Sequence, residues 1–176
     1  AYADDLISTM NKISLKSVPA KTEKGYLQLK FSFSEALEHL EASGDWGNWF
    51  VLCRTNNELA TAMSMLEERD VPCVSFKKSD LDLDELSVIM KDNRVKVLTI
   101  HVAKGLQNKH VIVTGARMYN ENERKVSYVA ATRAEQSLYW TPSICKRGYK
   151  NRPKNRDQVS PGRIFEKSQK GMVSFE

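Results

Sequence analysis

The chain has 176 residues, of which 41% are hydrophobic and 28% charged, the composition of an ordinary globular domain with a core of its own. Lysine and arginine outnumber aspartate and glutamate by 27 to 22, and the net charge of +5 permits an anionic partner such as nucleic acid without proving one. No run of about 18 apolar residues is present, so no membrane span is expected. The three cysteines are widely spaced and form no C-x-x-C pair, which fits a reduced, cytoplasmic setting.

The first part of the chain predicts a helix, a strand and a second helix. Ala1–Ile13 has apolar residues at helical spacing but no capping residue ahead of them, which indicates a piece of a longer chain. Tyr26–Phe31 alternates between polar and apolar residues as a strand does. Ser34 is expected to cap a helix that ends at Ala42, and Glu38 lies one residue too far from it for a capping box.

Residues 49–76 predict a β-α-β unit with a right-handed crossover. Its strands are Trp49–Arg54 and Val71–Phe76. Asn56 is expected to cap the helix between them, Asn57–Arg69.

A short helix is predicted within Lys77–Arg94, with Leu86, Ile89 and Met90 buried. Four acids stand at its start: Asp80, Asp82, Asp84 and Glu85. A metal site is one interpretation of this cluster. Acids at the amino end of a helix favour its dipole, so we interpret the cluster as helix capping.

Two apolar, β-branched runs, Val95–Ile100 and His110–Thr114, are typical of buried strands in a parallel sheet. The loop between them, HVAKGLQNK, follows the carboxyl end of a strand, and ligands bind at that edge of open α/β sheets. A helix, Asn120–Ala134, and a short strand, Ser137–Trp140, complete the pattern. The sequence therefore predicts an α/β fold, with a mostly parallel sheet and helices on both faces.

Three segments carry a family resemblance. Residues 99–113, TIHVAKGLQNKHVIV, resemble motif V of the UvrD/Rep/PcrA-type superfamily 1 helicases, T-x-H-x-A/S-K-G-L-E followed by a hydrophobic strand. Residues 122–134, NERKVSYVAATRA, resemble motif VI, E-E-R-R-L-x-Y-V-A/G-x-T-R-A, and the run that begins at Trp49 is similar to V-L-x-R-x-N. The resemblance covers most of the chain and implies the second RecA-like motor domain of a DNA helicase.

Four residues form the ATP-binding set that the resemblance implies. Arg133 would act as an arginine finger on the γ-phosphate, a contact that can be worth roughly 10³–10⁵ in rate; the competing interpretation is a charge that stabilises the helix dipole. Gln107 stands where the family has a glutamate that binds the ribose, and it keeps one acceptor oxygen but no charge. Gly105 lets backbone approach phosphate, and Lys104 would pair with phosphate or with an acid of the other motor domain.

Four further residues form the implied DNA-binding set. Thr99 and His101 match motif V residues that contact single-stranded DNA, and both can donate to phosphate oxygens. Arg54 and Asn56 are the corresponding pair after an earlier strand. The competing interpretation for His101 is a structural role. Glu123 lies in the first turn of a helix and is assigned to the helix dipole alone.

By resemblance, the whole protein would hydrolyse ATP with Mg²⁺ and move along single-stranded DNA, and its N-terminal motor domain would hold most of the nucleotide and the metal. No G-x-x-x-x-G-K-[ST] phosphate loop occurs in these residues, so the chain alone is expected to be inactive.

The chain departs from the family because Lys77–Arg94 replaces a large inserted subdomain. Two alternatives stay open: a non-catalytic DNA-binding or docking module, and the helicase subunit of a recombination nuclease. The basic tail, Cys145–Glu176, would touch DNA phosphates or form a solvated loop.

Overall fold

In the computed structural model, which describes residues 26–29 and 32–145, six parallel strands form one sheet. The strands are β1 (Tyr26–Leu29), β2 (Trp49–Cys53), β3 (Cys73–Val74), β4 (Val95–Thr99), β5 (Asn108–Thr114) and β6 (Ala134–Thr141). Their order across the sheet is β1-β6-β5-β2-β4-β3. Because every neighbouring pair is parallel, the sheet has one edge of carboxyl ends and one of amino ends.

Four α-helices cover the two faces of this sheet. They are α1 (Phe33–Ser43), α2 (Asn56–Glu67), α3 (Leu83–Lys91) and α4 (Glu121–Ala131). Side chains of β2 alternate between the faces: Phe50 and Leu52 share a core with α4, while Val51 packs with α1 and α2. The predicted parallel sheet with helices on both faces is confirmed.

Two predicted helix caps were wrong. Ser32, not Ser34, caps α1, and it forms a capping box with Glu35 that includes a Glu35 N–H to Ser32 Oγ bond of 3.2 Å. Thr55, not Asn56, caps α2 and forms a capping box with Glu58. In both cases the cap is the serine or threonine three residues before a glutamate, because each of the two side chains then accepts a hydrogen bond from the other residue's backbone N–H.

Several predicted bounds also shift. The expected strand Val71–Phe76 shrinks to β3, since β3 is an edge strand that pairs only with the start of β4. Helix α4 ends at Ala131, three residues before the predicted end at Ala134, because Ala134 already belongs to β6. Leu86, Ile89 and Met90 are half-buried rather than buried.

The capping interpretation of the acids before α3 is confirmed, because Asp82 caps this helix in a capping box with Glu85. Among the helices of the described ranges, none is long and apolar enough to cross a membrane. The predicted helix at residues 1–13 and the basic tail after Cys145 lie outside the described residues.

Candidate functional site

The segment His101–Gln107, which we call the crossing loop, joins the two edges of the sheet. It leaves β4 at the carboxyl edge and enters β5 at the amino edge, with β2 lying between these strands. Ala103, at the middle of the loop, is fully buried in the core that α4 covers. The loop follows the carboxyl end of β4 as expected, but its second half lies at the amino edge, since a return to the start of a parallel strand must cross the face of the sheet.

At the amino edge, Arg133 binds oxygen atoms of the crossing loop and of the end of α4. Its Nε donates to the Val129 carbonyl (3.0 Å), Nη1 to the Leu106 carbonyl (3.1 Å) and Nη2 to Thr132 Oγ1 (2.8 Å). These acceptors are neutral. Burial lowers the pKa of the Arg133 guanidinium, which nevertheless keeps its proton in proteins.

Gln107 lies in the same amino-edge cluster as Arg133. Its Nε2 donates to the Thr132 carbonyl (3.4 Å), and the next residue, Asn108, donates its N–H to the Arg133 carbonyl (3.0 Å). A helix leaves its last carbonyls without intrahelical partners, and Gln107 supplies a donor to one of them. A glutamate at this position could not donate this bond.

The other two residues of the predicted ATP-binding set, Lys104 and Gly105, are exposed in the crossing loop. Gly105 has φ +84°, a left-handed conformation that glycine adopts without the steric cost of a Cβ. The structure thus brings Gln107 and Arg133 into hydrogen-bonded contact with one helix end, with Lys104 and Gly105 in the loop leading to them.

At the carboxyl edge, Arg54 forms a bidentate ion pair with Glu123. Nε of Arg54 lies 2.9 Å from Glu123 Oε2, and Nη2 lies 2.8 Å from Oε1. The Arg54 side chain is 22% exposed and the Glu123 side chain 9%. Hydrogen bonds from Arg54 lower the pKa of the Glu123 carboxyl, and the same bonds raise the pKa of Arg54.

The remaining residues of the predicted DNA-binding set lie at this carboxyl edge as well. Arg54 donates its N–H to the Thr114 carbonyl at the end of β5 (3.3 Å), so it stands among the strand ends. Thr99 pairs in register with Cys53 and is half-buried, and its Oγ1 accepts from Val102 N–H (3.4 Å). His101 and Asn56 are exposed side chains after β4 and at the start of α2.

Sequence reasoning missed a buried carboxylate at this edge. Glu58 is 2% exposed, and its oxygens accept from Thr55 N–H (3.2 Å) and from the Ser143 hydroxyl. Gly115 lies against it with φ +72°, and a Cβ there would stand 2.0 Å from Glu58 Oε1. The signal for Glu58 was the T-x-x-E spacing of the capping box, whereas the contact between Gly115 and Glu58 has no local sequence signal.

The DNA-binding set therefore lies at the carboxyl edge, whereas Gln107 and Arg133 of the ATP-binding set lie at the amino edge, and α4 joins the two edges. Glu123 lies in its first turn and Arg133 two residues after its end, ten positions apart. At 1.5 Å per residue the two sites are about 15 Å apart along the helix. No cluster of three or more potential metal-ligating His, Cys, Asp or Glu side chains is found in the described part of the chain.

The fold is shared with a known structure. A solved structure described as the C-terminal domain of a possible DNA helicase, from Lactobacillus strain WCFS1, has the same fold, with a TM-score of 0.54 at 16% identity over 81% of this chain and 83% of that one. At this identity the similarity shows the fold alone, an α/β sheet like that of the helicase C-terminal domain in that structure.

Sequence comparisons show what part of the chain is similar to. Residues 75–143 match the family model of the UvrD-like helicase C-terminal domain, and this segment contains the crossing loop and α4. A "Probable DNA helicase II homolog" of Mycoplasma capricolum is 32% identical in an alignment of 108 residues, which covers 54% of this chain. The resemblance to a UvrD-type C-terminal domain is confirmed. The chain spans 14% of the length of that relative.

Proposed function

We propose that this chain is the second motor domain of an ATP-dependent DNA helicase, with Arg133 as its contact to the γ-phosphate. The observation that carries the proposal is the amino-edge cluster, in which Arg133 and Gln107 meet at the end of α4 inside the segment that matches the helicase family. ATP and Mg²⁺ would be bound mainly by the N-terminal motor domain of the same protein.

The residues at the amino edge fit a nucleotide. Arg133 binds three neutral oxygens in the structure. A guanidinium can bind a phosphate through two parallel hydrogen bonds between opposite charges, so a phosphate can replace these neutral partners. Gln107 uses its amide nitrogen for Thr132, which leaves its oxygen as the acceptor for a ribose hydroxyl. ATP supplies the phosphoryl group, and these residues would orient it and stabilise its charge.

The carboxyl edge would bind single-stranded DNA. Arg54 engages two of its five N–H donors with Glu123, and its Nη1 group has two further donors for a phosphate oxygen. Exposed His101 and Asn56 stand at the same edge with Thr99, so their donors would meet the same backbone. The net charge of +5 favours this anionic partner.

Replacing Arg133 with alanine in the full-length protein tests the proposal. We expect DNA-stimulated ATP turnover to fall by roughly 10³-fold or more, while affinity for single-stranded DNA changes little. The matched control is Lys125→Ala, which removes an exposed cation from α4, the helix that precedes Arg133, and should leave turnover near wild type. Turnover of Arg133→Ala that stays within a few-fold of the control would remove Arg133 from the mechanism.

A second candidate is a non-catalytic DNA-binding module with the same fold. The observation that favours it is Gln107, whose amide binds the end of α4 in place of an acidic ribose acceptor. Equilibrium binding of a fluorescent ATP analogue to the full-length protein separates the two. A protein that binds DNA but no nucleotide would be the module.

A further inference from the structure

An acid lies beside a proposed DNA contact, where its charge should repel phosphate. Glu123 is within 2.9 Å of Arg54 through both carboxylate oxygens, and the two residues come from segments 69 positions apart. If the carboxylate acted only through its charge, it would weaken DNA binding at this edge. Its geometry points to another role.

The bidentate pair fixes the plane of the Arg54 guanidinium. Two parallel N–H···O bonds remove the rotation that an arginine side chain otherwise has, and they direct the Nη1 side away from Glu123. The backbone of Glu123 is fixed at the start of α4, because its N–H donates to Oδ1 of the helix cap Asn120 (2.8 Å), and its side chain is only 9% exposed. The arginine is thus attached to a rigid helix.

We propose that Glu123 is a positioning residue that holds Arg54 in the orientation in which its outward N–H groups bind a phosphate of single-stranded DNA. The inference rests on the proposed function, since it requires Arg54 to contact DNA. The charged or titratable groups around the carboxylate are Arg54 at bonding distance and, further away, Arg117 and His101; hydrogen bonds from Arg54 are the main cause of its lowered pKa.

Glu123 could position Arg54 or repel DNA phosphates, and the direction in which Glu123→Ala changes the affinity for DNA decides between these two roles. If Glu123 positions Arg54, the full-length variant should bind a fluorescent oligothymidylate about tenfold or more weakly than wild type, because a phosphate contact is lost. The slope of log Kd against log salt should also fall by about 0.7, the value for one lost phosphate contact on a single strand. Tighter binding with an unchanged slope would show that Glu123 acts as a repelling charge and would overturn the proposal.

Three further variants separate positioning from folding. Glu123→Gln keeps one acceptor for the guanidinium and should bind DNA with an affinity between those of wild type and Glu123→Ala. Glu121→Ala removes a charge from the same turn, where it pairs with Lys125, and should bind DNA as wild type does or slightly tighter. Arg54→Glu combined with Glu123→Arg restores the ion pair and the melting temperature but should not restore DNA binding.

Arg54→Ala distinguishes failure of this inference from failure of the proposed function. If Arg54→Ala weakens binding and Glu123→Ala does not, Arg54 contacts DNA and the positioning role is wrong. If neither variant weakens binding, the proposed DNA contact at this edge is itself wrong. If the double exchange binds DNA like wild type, the pair is structural and the inference fails.

Discussion

Arg133 shows how far a single residue could be predicted. Its place in the T-R-A sequence predicts a position at a helix end, and the structure puts it there. The phosphate contact that the resemblance implies stays a prediction. Its bond to the Leu106 carbonyl was not predictable, because that carbonyl is brought to α4 only by the path of the crossing loop. In the same way, Glu123 was assigned to the helix dipole, since its partner Arg54 lies 69 positions away in the sequence.

Gln107→Glu should strengthen ATP binding at some cost in stability. A carboxylate cannot donate to the Thr132 carbonyl, so a hydrogen bond worth about 1 kcal/mol is lost. The same carboxylate accepts more strongly from a ribose hydroxyl than an amide oxygen does, by about 1 kcal/mol, or about fivefold in affinity. The KM for ATP of the full-length protein should fall accordingly.

Gln107→Ala is the control for this substitution, because it loses the bond to Thr132 without gaining an acidic acceptor. We expect its melting temperature to match that of Gln107→Glu while its KM for ATP rises. Equal KM values in the two variants would argue against a ribose contact at this position.

Gly115→Ala should destabilise the domain far more than Gly44→Ala. Both glycines have positive φ, +72° and +62°, so each substitution carries a backbone cost of roughly 1–2 kcal/mol. A Cβ at Gly44 meets nothing within 4 Å, whereas one at Gly115 would overlap the buried Glu58 carboxylate. Displacing that carboxylate from its partners adds about 1–3 kcal/mol.

Urea denaturation of the two glycine variants measures this difference. The midpoint for Gly115→Ala should lie clearly below that for Gly44→Ala. Coinciding midpoints would mean that Glu58 moves aside without cost, which is inconsistent with its 2% exposure and its bond to Thr55.

At the scale of elements, near-continuous apolar runs located β2, β4 and β5 within one or two residues, because strands buried on both faces are mostly apolar. The helix starts were less accurate. Two local polar residues, Ser34 and Asn56, were candidates for caps, and the capping boxes at Ser32 and Thr55 decide against them. The length of β3 was overestimated, because this edge strand pairs with one neighbour over only two residues.

The attachment of α4 to β2 through Arg54 and Glu123 should weaken in acid. Arg54 lowers the pKa of the Glu123 carboxyl below its unfolded value near 4.3, so the unfolded chain takes up the proton first as pH falls. The stabilisation from this carboxylate is therefore complete above the unfolded pKa and is lost as pH falls through the folded pKa.

Urea denaturation at several pH values tests this sign. Between pH 6 and 3, which bracket that value, wild type should lose more stability than Glu123→Gln, whose side chain does not titrate. Glu121→Gln, whose ion pair is exposed, should follow wild type. Parallel curves for wild type and Glu123→Gln would contradict the pKa shift.

At the scale of the whole molecule, the composition and the apolar runs predicted the α/β class, but the strand order could not be read from them. The structure inserts β2 between β4 and β5, so the crossing loop passes over β2. Because these strands are parallel, the loop runs from the carboxyl edge of the sheet to its amino edge. The two sets of predicted residues are consequently separated onto opposite edges. Sequence similarity named the residues of each set without indicating that separation.

The 176-residue chain alone should show no ATP turnover with Mg²⁺ and single-stranded DNA, because it contains no phosphate loop. A coupled phosphate-release assay on the purified chain is the measurement, with Arg133→Ala as the control for contaminating enzymes. Turnover that wild type shows and Arg133→Ala lacks would contradict the expectation. Equal signal in both would identify a contaminant.

Helix α4 contacts both edges of the sheet, through Glu123 at its start and through the residues beside Arg133 at its end. A helix is stiff over this length, so a tilt of about 10° shifts one end relative to the other by roughly 2–3 Å. Hydrogen bonds to Arg54 and to Arg133 tolerate only a few tenths of an ångström of such displacement. An inhibitor that binds between α4 and the sheet and tilts the helix would therefore disturb the sites at both edges, without occupying either site.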